Sequence, residues 1–166
     1  MDLSELPGGS QVGIDSNVFI YHFCGRSKQC TDFLRRIERG ELRAVTTREV
    51  LWEVLHRLMV FEAIQLGIVR GPGPAAALAR KAQAVCQLRR YYADTKRILS
   101  TGVRVLPALE DMLEASQPFR ERYGLLTTDS IIAAGLVGAG VTLLATEDRD
   151  FERVAELRVA GVSDVE

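Results

Sequence analysis

The strongest constraint on the fold is a set of short apolar runs, several of which stop at a polar residue and hand over to a helix-forming stretch. Val12-Gly13-Ile14 ends at Asp15, and Ser16 and Asn17 follow, residues suited to turns and helix caps. Val141-Thr142-Leu143-Leu144-Ala145 reads as a second buried strand and leaves through Thr146-Glu147-Asp148-Arg149-Asp150-Phe151. Arg43-Ala44-Val45-Thr46 predicts a third strand, feeding a long helix whose apolar stripe is Val50, Leu51, Val54, Leu55, Leu58 and Phe61. Further strands are expected over 103–107 and within 158–162. Helices are expected from Val18, over 29–39 with Gly40 as C-terminal cap, over about 109–122, and from Thr127-Thr128-Asp129 into Ser130-Ile131-Ile132-Ala133-Ala134. Strands alternating with helices specify the α/β class, with a central, mostly parallel sheet covered on both faces.

A chain of 166 residues, 47% hydrophobic, can form one domain that buries roughly 70% of the surface its unfolded form exposes. A single domain over 1–166 is therefore expected. The start of the chain is acidic and does not resemble a secretory signal, and no stretch is long enough to span a membrane. Cys24, Cys30 and Cys86 form neither an even set nor a zinc-type cluster, which predicts reduced thiols in a cytoplasmic protein.

Four acidic residues far apart in the chain, Asp15, Glu53, Asp129 and Asp148, each fall where a buried element opens onto one edge of the sheet. In open α/β sheets ligands bind outside the carboxyl ends of the strands, so these carboxylates are expected to converge there. Packed together they repel unless something positive neutralises them, and a hard cation with oxygen ligands, Mg²⁺ or Mn²⁺, suits that set.

The net charge of −1 hides an uneven distribution. Residues 80–104 hold Arg80, Lys81, Arg89, Arg90, Lys96, Arg97 and Arg104 against Asp94 alone. With Tyr91 and Tyr92 among them, phosphate contact and base stacking are one reading, and Arg89, Arg90 and Arg97 are its candidate RNA or partner contacts. The other is a solvated amphipathic helix, because Leu78, Ala82, Val85, Leu88, Tyr92 and Leu99 recur at helical spacing. Arg89 and Lys96 fall near that stripe, so either the helix bends or these side chains snorkel. Gly71-Pro72-Gly73-Pro74 separates this segment from the long helix.

These residues resemble the PIN-domain nucleases, in particular the toxin ribonucleases of VapBC-type toxin–antitoxin pairs, and the likeness spans nearly the whole chain. Ile14-Asp15-Ser16-Asn17-Val18-Phe19 looks like the opening motif, and Glu53 in Val50-Leu51-Trp52-Glu53-Val54-Leu55 like the helix glutamate. Asp129 before Ser130-Ile131-Ile132 is similar to the third acid, and the run from Thr146 to Phe151 to the closing motif. Ser16 stands where many members have threonine, which keeps the hydroxyl. The segment 71–101 matches nothing diagnostic and is the variable part of the chain.

The resemblance implies a three-layer α/β/α sandwich, Mg²⁺- or Mn²⁺-dependent cleavage of RNA, homodimers, and inhibition by a cognate antitoxin. It further implies Asp15, Asp129 and Asp148 as direct metal ligands, with Glu53 and Asp150 acting through water or orienting the nucleophile. Ser16, Asn17 and Thr146 are expected to support them by hydrogen bonds.

Each acid also has a plain structural explanation. Asp15 can cap the helix that follows it, Glu53 can pair with Arg57 at i+4, Asp129 can answer the helix dipole, and Asp148 and Asp150 sit at a helix start. Glu49 has capping-box spacing from Thr46 and is assigned to structure. His22 and His56 lie on separate predicted helices, which argues against acid–base catalysis by two imidazoles. Asn17 replaces the second aspartate that an aspartyl phosphatase needs, and no phosphate-binding glycine motif occurs. The main alternative is a catalytically silent PIN-like module that binds RNA or protein, and a nuclease for structured DNA ranks lower.

Overall fold

The computed structural model describes residues 1–165. Five short parallel strands, β1 (Gln11–Ile14), β2 (Arg43–Thr46), β3 (Arg104–Val105), β4 (Leu143–Ala145) and β5 (Arg158–Ala160), form one sheet in the order β3-β2-β1-β4-β5. The helices are α1 (Ser16–Phe23), α2 (Lys28–Glu38), α3 (Arg48–Gln65), α4 (Pro74–Ala79), α5 (Ala82–Val85), α6 (Arg90–Ser100), α7 (Met112–Tyr123) and α8 (Thr127–Gly138). Two 3₁₀ turns, Leu3–Glu5 and Arg149–Arg153, complete the elements. This is the expected three-layer α/β/α architecture.

The chain builds outward from β1 to β2 and β3, then returns past β1 to lay down β4 and β5 on its other side. Parallel crossovers are right-handed, so this change of direction places the early helices and the α7–α8 pair on opposite faces. It also makes the carboxyl ends of β1 and β4 the switch point, where open α/β sheets place ligands.

Gly13 lies in the middle of β1, and a Cβ built there would approach Leu136 Cδ2 of α8 to 2.7 Å. The missing side chain lets α8 lie close against the central strand. Successive strand side chains alternate between faces, so buried Val12 and Ile14 serve the opposite layer.

Helix starts follow local chemistry. Asp15 caps α1, Ser27 caps α2 by accepting from Cys30 N–H, and Thr47 caps α3 by accepting from Val50 N–H. Helix α1 therefore begins at Ser16, two residues before the expected Val18. Capping of α3 falls to Thr47, so Thr46 is not its cap; it is the last residue of β2, with Oγ1 donating to Ile14 O at 2.9 Å. Strand β3 is shorter than the predicted 103–107, although Leu106 N–H still donates to Thr46 O at 2.8 Å before Pro107 removes the next donor.

The segment after Gly71 is not one amphipathic helix. It breaks into α4, α5 and α6, which settles the choice in favour of a bend, because Arg89 is the exposed residue before α6. Leu78 and Leu88 of the predicted stripe are buried, whereas Tyr92 and Leu99 are exposed and Ile98 takes the core position. Leu78 and Leu88 join Ala63 and Val69 in a small apolar cluster, while Ile98 belongs to the main core.

The start of α6 has no cap of its own. Glu62 of α3 supplies it, accepting from the N–H groups of Arg89 (2.9 Å), Arg90 (3.1 Å) and Tyr91 (2.8 Å). Partial burial raises this carboxyl, but the three backbone donors outweigh it and hold the group below the ordinary glutamate range. A depressed pKa gives stability that is full above the unfolded value and is lost as pH falls through the folded one. Glu62→Ala is expected to cost about 1–3 kcal/mol, because three orphan donors lose a charged acceptor. Hydrogen exchange should speed up first in α6, and unchanged protection there would refute the clasp.

Candidate carboxylate site at the switch point

Asp15 leaves β1 between β4 and β2, and its N–H donates to Ala145 O at 3.0 Å, one further rung of the sheet below the carboxylate. Its Oδ1 accepts from Ser16 N–H at 2.7 Å. Its Oδ2 accepts from Asn17 Nδ2 at 2.8 Å and from the Thr146 hydroxyl at 2.7 Å. The Thr146 oxygen in turn accepts from Asn17 Nδ2 at 3.1 Å and from Asp148 N–H at 3.0 Å. Glu147 N–H reaches Asn17 Oδ1 at 3.2 Å, and the Tyr21 hydroxyl donates to the Glu147 carboxylate. The loop after β4 is thereby laced to the start of α1, and Asn17 and Thr146 are the lacing. Ser16 contributes its backbone donor.

Asp148 opens the turn Arg149–Arg153, accepting from Asp150 N–H at 2.8 Å, and Phe151 plants that turn in the core. Glu53 comes from α3 and Asp129 from the first turn of α8. Both line one groove with Glu49, Trp52, Leu126 and Thr128.

The electrostatics join these acids. Burial pushes the Asp15 carboxyl up to about 6, and the charges of Glu53 and Asp148 add to the rise against the hydrogen bonds from Thr146 and Ser16. Asp129 is raised as well, first by burial and then by Asp148, Asp150 and Glu53. Five carboxylates from four separate parts of the chain therefore share one neighbourhood of negative potential, as the strand-end argument requires.

Cap and site are not alternatives for Asp15, since the cap bond occupies one lone pair of a carboxylate with several. The predicted Glu53–Arg57 pair also exists, at 3.6 Å and solvent-exposed, as does an Asp150–Arg153 pair at 2.9 Å that sequence reasoning overlooked despite its i,i+3 spacing. As these side chains stand, no three His, Cys, Asp or Glu residues among those described are gathered closely enough to hold a metal ion. The donor chemistry nevertheless fits a hard cation: the neighbourhood is all carboxylate oxygen, and an acid raised first by burial and further by other acids is the deficit that a positive ion relieves. Surface arginine pairs are weak and compete little with such an ion.

Arg89, Arg90 and Arg97 are exposed on or beside α6 but not idle. The Arg89 guanidinium donates to Cys86 O and Leu88 O at 2.6 and 2.7 Å, and Arg90 and Arg97 flank Asp94 at 3.2 and 3.9 Å. His22 on α1 lies 3.0 Å from the Thr31 hydroxyl of α2, while His56 is exposed on α3. All three cysteines are free, and no helix among the described residues is long and apolar enough to cross a membrane.

A parallel sheet between two helical layers, with carboxylates that raise one another near its switch point, puts the chain in the three-layer α/β/α class. Within it, the chain belongs to the PIN domain family, whose model matches residues 12–157. No curated protein matches it in sequence.

Solved structures share the fold. VapBC2 from Rickettsia felis, bound to a DNA fragment from its promoter, aligns with a TM-score of 0.60 at 13% identity, covering 92% of this chain and 99% of that one. A toxin–antitoxin complex from Klebsiella pneumoniae gives 0.56 at 20% identity, covering 93% and 98%. VapBC-5 from Mycobacterium tuberculosis gives 0.51 at 18% identity, covering 92% and 98%.

Proposed function

We propose that the protein is a metal-dependent endoribonuclease, the toxin of a type II toxin–antitoxin pair, held in check by a cognate antitoxin. The observation that carries this reading is the buried Asp15 carboxylate, raised to about 6 at the switch point of a PIN domain with Glu53 and Asp148 adding to the rise. Toxin–antitoxin complexes among the structural neighbours support the antitoxin partner. Asp15, Asp129 and Asp148 are the residues to hold Mg²⁺ or Mn²⁺, with Asp150, released from Arg153, to complete the set. Such an ion, when bound, polarises the scissile phosphate and lowers the pKa of the attacking water. The chain supplies the rest. Asn17 and Thr146 fix the Asp15 carboxylate by hydrogen bonds, and Glu53, released from Arg57, would orient the nucleophilic water and take up its proton.

Arg89, Arg90 and Arg97 are proposed to lengthen the RNA footprint along α6. Neutralising all three should weaken RNA binding and flatten its dependence on salt, because fewer counterions are released. A salt titration with unchanged slope would remove them from the footprint.

The test of the function is cleavage of a mixed cellular RNA pool by purified wild type and Asp15→Asn with Mn²⁺, Mg²⁺ or EDTA. Discrete fragments made only by metal-loaded wild type establish the nuclease. The second reading, a silent module that binds RNA or protein, draws on the Glu53–Arg57 and Asp150–Arg153 pairs. Folded, inhibitor-free protein that leaves the RNA intact would favour it.

A further inference from the structure

Trp52 is the single tryptophan of the chain and is 68% exposed. The core face of α3 is carried by Val50, Val54 and Leu58, so the indole, two residues from both Val50 and Val54, projects away from it. No ring or cation contact of the indole occurs among the described residues. A large aromatic group left in water beside a functional site is unusual enough to need a role. Its neighbours suggest one. Trp52 lines the same open groove as Glu53 and Asp129, and Leu126, 74% exposed at the head of α8, lines it too. The exposed Thr127 and Thr128 side chains hold no hydrogen bond within the described protein and stand free as donors and acceptors. Arg48, one turn before Trp52 on the same face of α3, is exposed and has no ion pair among the described residues.

We propose that Trp52 is the stacking platform for a nucleobase next to the scissile phosphate, with Leu126 as the opposing wall and Thr127 and Thr128 reading the base edge. This inference rests on the nuclease reading and deepens it by assigning the side chains that hold a splayed-out base beside the site. A nucleotide whose phosphate lies at the carboxylates has its adjoining base at the groove, and Arg48 offers its next phosphate a cation. A duplex, whose bases are stacked inward, has no face to offer the indole.

The only indole in the protein also reports on the proposal. Intact Asp15→Asn protein, which leaves its ligand uncut, is titrated with short single-stranded RNAs of uniform composition and with a duplex control while indole emission is followed. Saturable quenching by single strands, stronger than by duplex, is the expected result. In cleavage by otherwise wild-type protein, Trp52→Leu should raise KM about tenfold or more with kcat nearly unchanged, and Trp52→Phe should restore most of the loss. Wild type that cleaves RNA while emission stays constant, or Trp52→Leu with unaltered KM, overturns the platform and leaves the nuclease standing. Quenching by a basic peptide but not by RNA also overturns it and makes the groove a protein-docking site. Wild type that cleaves nothing with either metal removes the nuclease reading, and the platform with it.

Discussion

Asp15→Asn protein is expected to lose more than about 100-fold in RNA cleavage, beyond the upper end of what removal of a supporting hydrogen-bond partner usually costs. Its folding should change in a way that identifies the cause. Burial has pushed the Asp15 carboxyl up to about 6 from 3.8, so the folded state binds the proton more tightly than the unfolded state. The charged form is therefore a burden at neutral pH, of about 3 kcal/mol for a shift of roughly two units.

That burden is present in full above pH 6 and lifts as pH falls from about 6 toward 3.8, with about 1.4 kcal/mol recovered by pH 5. Groups with depressed pKa values, such as Glu62, act in the opposite sense. The informative quantity is therefore the difference between wild type and mutant. Wild-type stability minus that of Asp15→Asn should rise by that amount between pH 7.5 and pH 5 in metal-free buffer. Divalent cation should raise the melting temperature of wild type at pH 7.5 and barely move that of the mutant.

The substitution is not wholly neutral in geometry. An asparagine amide can still cap Ser16 N–H, but its NH₂ would face donors from Asn17 and Thr146 where Oδ2 now accepts both. Equal pH dependence in the two proteins would show that Asp15 is not the strained acid, and retained cleavage would remove it from the site.

Phe151→Ala is expected to have the largest effect on stability, about 3–5 kcal/mol, the cost of emptying a buried aromatic position. Phe151 is 1% exposed and belongs to the turn Arg149–Arg153, between Asp150 and Glu152. It is the peg that holds the acidic loop after β4 against the sheet. Denaturant unfolding should show a lower midpoint with an unchanged slope. Phe151→Leu should recover much of the loss, because most of the volume is refilled. Metal affinity should fall as well, since the turn that presents Asp148 and Asp150 loses its anchor. A stability loss under about 1 kcal/mol would mean that the turn does not depend on this contact.

The elements that were legible in the chain are those whose signals are local. Asp15 caps α1 as its place before Ser16 indicated, although the cap of α3 is Thr47 and not Thr46, and β1, β2 and β4 are apolar runs that stop at polar exits. Convergence of Asp15, Glu53, Asp129 and Asp148 followed from one topological rule. What escaped was set by distant partners. The break before α6 depends on Glu62, 27 residues from the nearest amide it caps, and no pattern within 75–101 announces it. Helical periodicity placed Tyr92 and Leu99 in the core, although the bend at Arg89 rotates Ile98 there instead. Trp52 read as part of a family motif, and only the groove formed with α8 shows that it is bare.

The clasp at Glu62 bears on how such a chain changes over time. Between residues 66 and 88 no backbone group pairs with a strand, and the excursion is tied back to α3 by the Glu62 carboxylate and by the small cluster of Leu78 and Leu88 with Ala63. Doubling the length of a flexible connection costs only about 0.6 kcal/mol. Insertions and deletions there can be absorbed without displacing a strand end, so the surface of α4 to α6 is free to diversify while the carboxylates stay where they are.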